Sequence, residues 1–260
     1  MQEVEQLLNL LERLRDPHGG CPWDRVQTYA SIAPYTIEEA YEVTDAIARG
    51  DRAELKQELG DLLFQVVFHA QLAREEGAFT FADVAAAVTE KMIRRHPHVF
   101  GETRYADRAE QSHAWEQLKA AERDTPVDSV LDGIPPALPA MTRATKLQRK
   151  AAQVGFDWLE PMAVLEKITE ELTELRRELE DGAIPARLTE ELGDLLFACA
   201  NLARHIAVDP ESALRLANLK FERRFRRIEH WLKAAGRTPQ QARLAELDAL
   251  WERAKAEERQ

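Results

Sequence analysis

Apolar residues recur along this chain at intervals of three and four, with polar residues between them, over almost every long segment. Val4, Leu7, Leu8, Leu11 and Leu14 share one face of an opening helix. That helix ends before HGGCPWD, where two glycines and a proline forbid continuation. Trp23 and Asp24 are expected to cap and anchor the helix that follows. Thr36 is expected to open that helix, with Pro34 just upstream and Glu39 as its capping-box partner. Gly50 closes it, and Asp51 with Glu54 caps the next, which runs to about Arg74. A further helix spans about Phe81 to Arg95 and stops at HPHVFG, and one more helical piece, HAWEQLKAAER, follows. Later in the chain a helix runs from about Pro161 to Glu180 and breaks at 181–185. Helices near 186–206 and 210–235 follow it. No segment alternates with the period of two that a half-buried strand needs, so the predicted class is all-α.

The octet QELGDLLF at 57–64 returns as EELGDLLF at 190–197, seven of its eight residues unchanged and 133 positions on. Such recurrence predicts two related halves. The prolines of TPVDSVLDGIPPALP mark the boundary. The expected division is a helical domain over 1–125, a Pro-rich linker over 126–140 and a second helical domain over 141–260.

Apolar residues make up 45% of the 260, enough for a real core, and the formal net charge is −11. That charge argues against general binding of nucleic acid or anionic membranes. No apolar run approaches a membrane span, and the acidic, amphipathic N-terminus does not read as a secretory signal. Two cysteines, Cys21 and Cys199, are too few for a disulfide framework or a zinc site. A cytoplasmic protein is the expectation.

The acids are where chemistry enters. In the second half Glu170, Glu171 and Glu174 lie on one helix, and Glu190, Glu191 and Asp194 on the next. Glu174 precedes Gly182 by eight positions and Glu191 follows it by nine, so an antiparallel hairpin would set both about 12 Å from the turn. The first half repeats this with Glu38, Glu39 and Glu42 before Gly50, and Glu58 and Asp61 after it. On the helix after Gly182 the acids would flank a core-facing stripe of Leu192, Leu195, Leu196, Cys199 and Ile206. Glutamates on helices commonly just solvate a surface. Adjacent like charges destabilise one another, however, and few basic residues occupy the neighbouring helical positions. Four clustered carboxylates suit Mg²⁺. Gly60 and Gly193, each costing about 1 kcal/mol against alanine in a helix, suggest close approach of a ligand or partner backbone.

Twenty-six positions after Asp194, NLKFERRFRR places Lys220 and Arg224 on one face, with Arg223 adjacent. Phe221 and Phe225 form a parallel stripe expected to pack inward. Lys91 and Arg95 stand in the same relation in the first half. A basic pair facing an acidic metal cluster is what a polyphosphate needs, although basic residues late in a helix also complement its dipole. Trp251 would either stack on a nucleobase or anchor the tail, and Trp115 with Lys119 repeats its pattern. His96 and His98 read as a structural stop before a metal pair.

These residues resemble the MazG nucleoside triphosphate pyrophosphohydrolases in their long two-domain bacterial form. The EExxE and ExxD motifs, GGCPWDRVQT, RRHPHVFGE, VGFDW and NLKFERRFR carry the likeness over nearly the whole chain. The resemblance implies tandem helical domains forming four-helix-bundle-type units in a homodimer. It implies Mg²⁺, with Mn²⁺ as a substitute, and hydrolysis of nucleoside triphosphates to monophosphate and pyrophosphate. Broad base tolerance and clearance of the nucleotide pool belong to the same expectation. By matching positions, Glu171, Glu174, Glu191 and Asp194 would hold metal, and Lys220, Arg223, Arg224 and Trp251 the nucleotide. Glu170 or Glu190 would take the proton. The first-half set of Glu38, Glu39, Glu42, Glu58, Asp61, Lys91 and Arg95 would be a second site, with the second half favoured for turnover. A pyrophosphatase narrow for dUTP or dCTP and a nucleotide-sensing module remain alternatives. A di-iron bundle is disfavoured, because only Glu110 and His113 offer its Glu-x-x-His element.

Overall fold

The computed structural model describes residues 2–122 and 128–258, and among them there are twelve α-helices and no strand. The chain folds into two compact units, Met1–Thr125 and Pro126–Gln260. The first two residues of the expected linker, 126 and 127, lie outside the described residues.

In the first unit α1 spans Gln2–Leu14, α2 Pro22–Arg25, α3 Tyr29–Arg49 and α4 Arg52–Glu75. α5 (Phe81–Arg95), α6 (Pro97–Phe100) and α7 (Arg108–Ala121) complete it. α3 and α4 form an antiparallel hairpin, and α1 packs on α4. Gly50 ends α3 in the left-handed region at φ 71°, where a side chain would be strained. The next residue, Asp51, caps α4 by accepting from the backbone N–H groups of Ala53 and Glu54. Leu11, Ile32, Val67, Phe68 and Leu72 are the buried heart of this unit.

Two expectations fail at the start of α3. The helix begins seven residues earlier than Thr36, because Thr28 and Ser31 form the capping box. Glu39 is therefore mid-helix and caps nothing, which frees it for the acid cluster. Pro34 sits inside α3, in its second turn, where it cannot donate the backbone bond to Ala30. Asp24 does not cap α3 either. It is buried, and its carbonyl accepts from Arg15.

The second unit contains α8 (Ala140–Gln153), α9 (Pro161–Glu180), α10 (Pro185–His205), α11 (Pro210–Ala234) and α12 (Leu244–Glu257). α9 and α10 repeat the hairpin, α8 lies on α10, and α12 folds back on α11. α8 has no counterpart among the helices that the periodicity predicts. The predicted core stripe on α10 holds only in part: Leu195 and Cys199 are half-buried, Leu192, Leu196 and Ile206 are each about half exposed, and Glu191, Ala198 and Asn201 are buried instead. Phe221 also points outward, stacked on Phe225 and against Trp251 rather than into the core. Gly60 and Gly193 have no close neighbour, since a Cβ at either would meet nothing within 4 Å.

Candidate metal and phosphate site

The α9–α10 hairpin brings ligand oxygens of Glu171, Glu191 and Asp194 within 4.8 Å of one another. Glu174, one turn further along α9, is half-buried and stands outside that group. The level matched across the hairpin is thus that of Glu171. Glu171 and Glu191 are 6% and 8% exposed, values rare for a carboxylate without a counter-charge. Counter-charges are present, contrary to the sequence expectation. Lys167 reaches Glu171 at 2.8 Å and Glu170 at 2.8 Å. Arg187 reaches Glu191 at 2.8 Å, Glu190 at 2.5 Å and, across the hairpin, Glu178 at 3.3 Å. The hydrogen bonds to Glu170 and Glu171 hold the Lys167 ammonium well above its ordinary pKa, and Arg187 is raised by Glu178 first. The i, i+4 spacing of Lys167 to Glu171 and Arg187 to Glu191 was the readable signal for both.

The first unit assembles the same kind of group, Glu39, Glu58 and Asp61, on the α3–α4 hairpin. Glu38 and Glu42 are exposed on α3. Here no cation intervenes at the matching positions, which are Tyr35 and Glu54. The carboxyls press on one another instead. Burial pushes Glu39 up, helped by its hydrogen bond to Glu42 and by the charges of Glu42, Asp61 and Glu58. Glu58 is raised by desolvation, then by the charges of Glu42, Asp61 and Glu54. A hard divalent cation fits both donor sets, which are carboxylate oxygens only.

The arginines are held by the last helix of each unit and the glutamate just past its end. Lys220 is exposed on α11, one turn before Arg224. Arg223 and Arg224 both donate to Glu258, at 2.7 Å each. Arg224 lies over the Trp251 ring at 5.5 Å, and Trp251 packs against Phe221 with ring centres 5.2 Å apart. In the first unit Arg94 and Arg95 meet Glu122, and Arg95 lies over Trp115 at 5.6 Å. Lys91 stands one turn before Arg95, half-buried. Sequence reading missed Glu122 and Glu258. Their common spacing, seven residues after Trp115 and Trp251, was the available clue. His96 and His98 bond to the Met92 carbonyl and to Gln111, and neither joins a metal-type group among the described residues.

One turn past Asp194 on α10, a cavity of about 340 Å³ opens, walled by Leu147, Phe156, Trp158 and Phe197. Its polar lining is mostly engaged. Gln148 donates to the Phe197 carbonyl at 2.8 Å, and Arg204 binds both Asn201 and Asp157. The Gln148 side-chain oxygen is buried without a partner.

The MazG nucleotide pyrophosphohydrolase domain model matches residues 27–100 and again 159–228. The nucleoside triphosphate pyrophosphohydrolase of Escherichia coli strain K12 is 49% identical over 260 residues, covering 99% of each chain. A Thermotoga maritima protein named nucleoside triphosphate pyrophosphohydrolase/pyrophosphatase MazG is 48% identical over 251 residues, 96% of this chain and 95% of its own. A crystal structure of a mazG-related protein from Thermotoga maritima is 29% identical. It covers 45% of this chain and 99% of its own, with a TM-score of 0.39.

Proposed function

The chain belongs to the MazG nucleotide pyrophosphohydrolase family, and from that membership we propose that it hydrolyses nucleoside triphosphates to monophosphates and pyrophosphate. The observation that carries this reading to a site is the convergence of Glu171, Glu191 and Asp194 within 4.8 Å, two of them buried. With Glu174 one turn away, they would hold Mg²⁺, or Mn²⁺ in its place. Such an ion, when bound, neutralises phosphate charge and acidifies water.

The chain's own groups do the rest. A water oxygen attacks the α-phosphorus, the bond from that phosphorus to the bridging oxygen breaks, and pyrophosphate leaves with the electron pair. Lys220, Arg223 and Arg224 offset the charge that accumulates on the leaving group. Glu170 or Glu190 accepts the water's proton. Each rests on a cation, Lys167 or Arg187, which holds it near the buried ligands. The nucleobase would lie against the aromatic walls of the α10 cavity, whose polar groups are largely committed to one another. That supports tolerance of several bases, in keeping with a role in clearing the nucleotide pool. The first-unit acids would form a second site.

A homodimer is part of the same reading. Leu172, Leu192 and Leu196 on α9 and α10, and Leu59 and Leu63 on α4, leave apolar stripes about half exposed. A second copy of the chain would cover them in four-helix-bundle packing.

Pyrophosphate release from a panel of ribo- and deoxynucleoside triphosphates, with Mg²⁺ and with a chelator, tests the proposal. Release from several bases is expected, abolished by the chelator. Nucleotide binding without release would make the chain a sensor, and release from one deoxynucleotide alone would remove the broad-tolerance part.

A further inference from the structure

Arg223 and Arg224 are neighbours in sequence, so their like charges lie close together unless something anionic stands between them. Glu258, just past the end of α12, stands there. Its two oxygens are divided, one accepting from Nε of Arg223 at 2.7 Å and the other from Nε of Arg224 at 2.7 Å. A guanidinium has five N–H donors. Engagement through Nε spends one and leaves the outer fork, the part that grips phosphate oxygens in pairs, uncommitted to Glu258. Arg224 is also held by its face, over Trp251 at 5.5 Å. The side chain is thereby fixed from two directions before any substrate arrives.

The same device is built independently in the first unit. Glu122 accepts from Nε of Arg94 at 2.8 Å and from Nε of Arg95 at 2.9 Å, and Arg95 also turns an outer nitrogen to it. Arg95 lies over Trp115 at 5.6 Å. In each unit the arginine pair pushes its own carboxyl down to about 2, so Glu122 and Glu258 are both ionised near neutral pH.

We propose that Glu258 is a positioning residue of the hydrolase. It clamps Arg223 and Arg224 through Nε, cancels their mutual repulsion and aims their outer forks at the triphosphate. The inference rests on the assignment of these arginines to phosphate made above. The competing role for such a carboxylate is a stand-in anion that substrate must displace. That role predicts engagement of the outer forks, whereas in the second unit the bonds run to Nε. The two roles have opposite signs in kinetics, because removing a competitor tightens substrate binding and removing a clamp loosens it.

The test is Glu258→Gln in the full chain, a change that keeps shape and removes charge. KM for a nucleoside triphosphate is expected to rise roughly five- to tenfold while kcat stays within about twofold. The thermal melting curve serves as the control for folding. An unchanged or lowered KM overturns the proposal, as does a fall in kcat alone. In an Arg223→Ala/Arg224→Ala background the same change should add nothing, and a further rise of equal size would show that Glu258 acts by another route. Should the wild type release no pyrophosphate, the proposed function fails separately. Calorimetric binding of inorganic tripolyphosphate with Mg²⁺ then decides the clamp. Weaker binding by Glu258→Gln sustains it, and equal binding, or none by the wild type, overturns it.

Discussion

Lys167 and Arg187 each sit one helical turn before a buried glutamate, and they set the two acid clusters of this chain apart. A buried carboxylate left without a partner loses its hydration for nothing in return, which is why Glu171 and Glu191 are tolerable where they stand. In the first unit Tyr35 and Glu54 occupy the matching positions. There part of the strain appears as raised carboxyl pKa values instead. If the cluster holds a divalent cation, Lys167 stands in for it until that cation arrives. Lys167→Ala is expected to lose roughly 1–3 kcal/mol of stability in a chelator. Millimolar Mg²⁺ should raise the melting temperature of the variant by more than it raises that of the wild type. Equal Mg²⁺-induced shifts in the two proteins would show that lysine and cation do not share a task.

At the scale of helices, what could be read from the sequence was whatever local chemistry decides. Gly50 and Asp51 end one helix and begin the next by their own backbone and side-chain preferences, and both act as read. Phe81–Arg95 and Pro161–Glu180 likewise stop where the residues say. The start of α3 was misplaced because a proline early in a helix resembles a boundary, while Thr28 and Ser31 cap six residues before it. Periodicity reports which residues share a face and is silent on what covers that face. Leu192 and Leu196 therefore read as core from the sequence, yet they are 47% and 48% exposed. If a second copy covers this stripe, Leu192→Asp/Leu196→Asp should sediment at half the wild-type mass at micromolar concentration with helicity retained. An unchanged mass would place the subunit contact elsewhere or remove it.

At the scale of the whole molecule the question is why one chain carries the arrangement twice. Both units bring three carboxylates together and both join an arginine pair to one glutamate, with one arginine of the pair over a tryptophan, so a count of parts does not separate them. The surroundings do. α11 runs ten residues beyond Arg224, whereas α5 ends at Arg95 and passes directly into His96 and the short α6. In the second unit Glu171 and Glu191 are already balanced by Lys167 and Arg187. In the first the acids repel one another, an arrangement better suited to holding a cation than to exchanging one during turnover. Glu191→Ala in the intact chain is accordingly expected to cost at least about a hundredfold in kcat, with the helical fold kept. Glu58→Ala should leave kcat within about twofold and weaken Mg²⁺-dependent stabilisation of the chain instead. Steady-state pyrophosphate release and melting curves on the two variants measure both effects. A hundredfold loss from Glu58→Ala would mean that the first unit performs chemistry, and equal partial losses from the two would mean that both do.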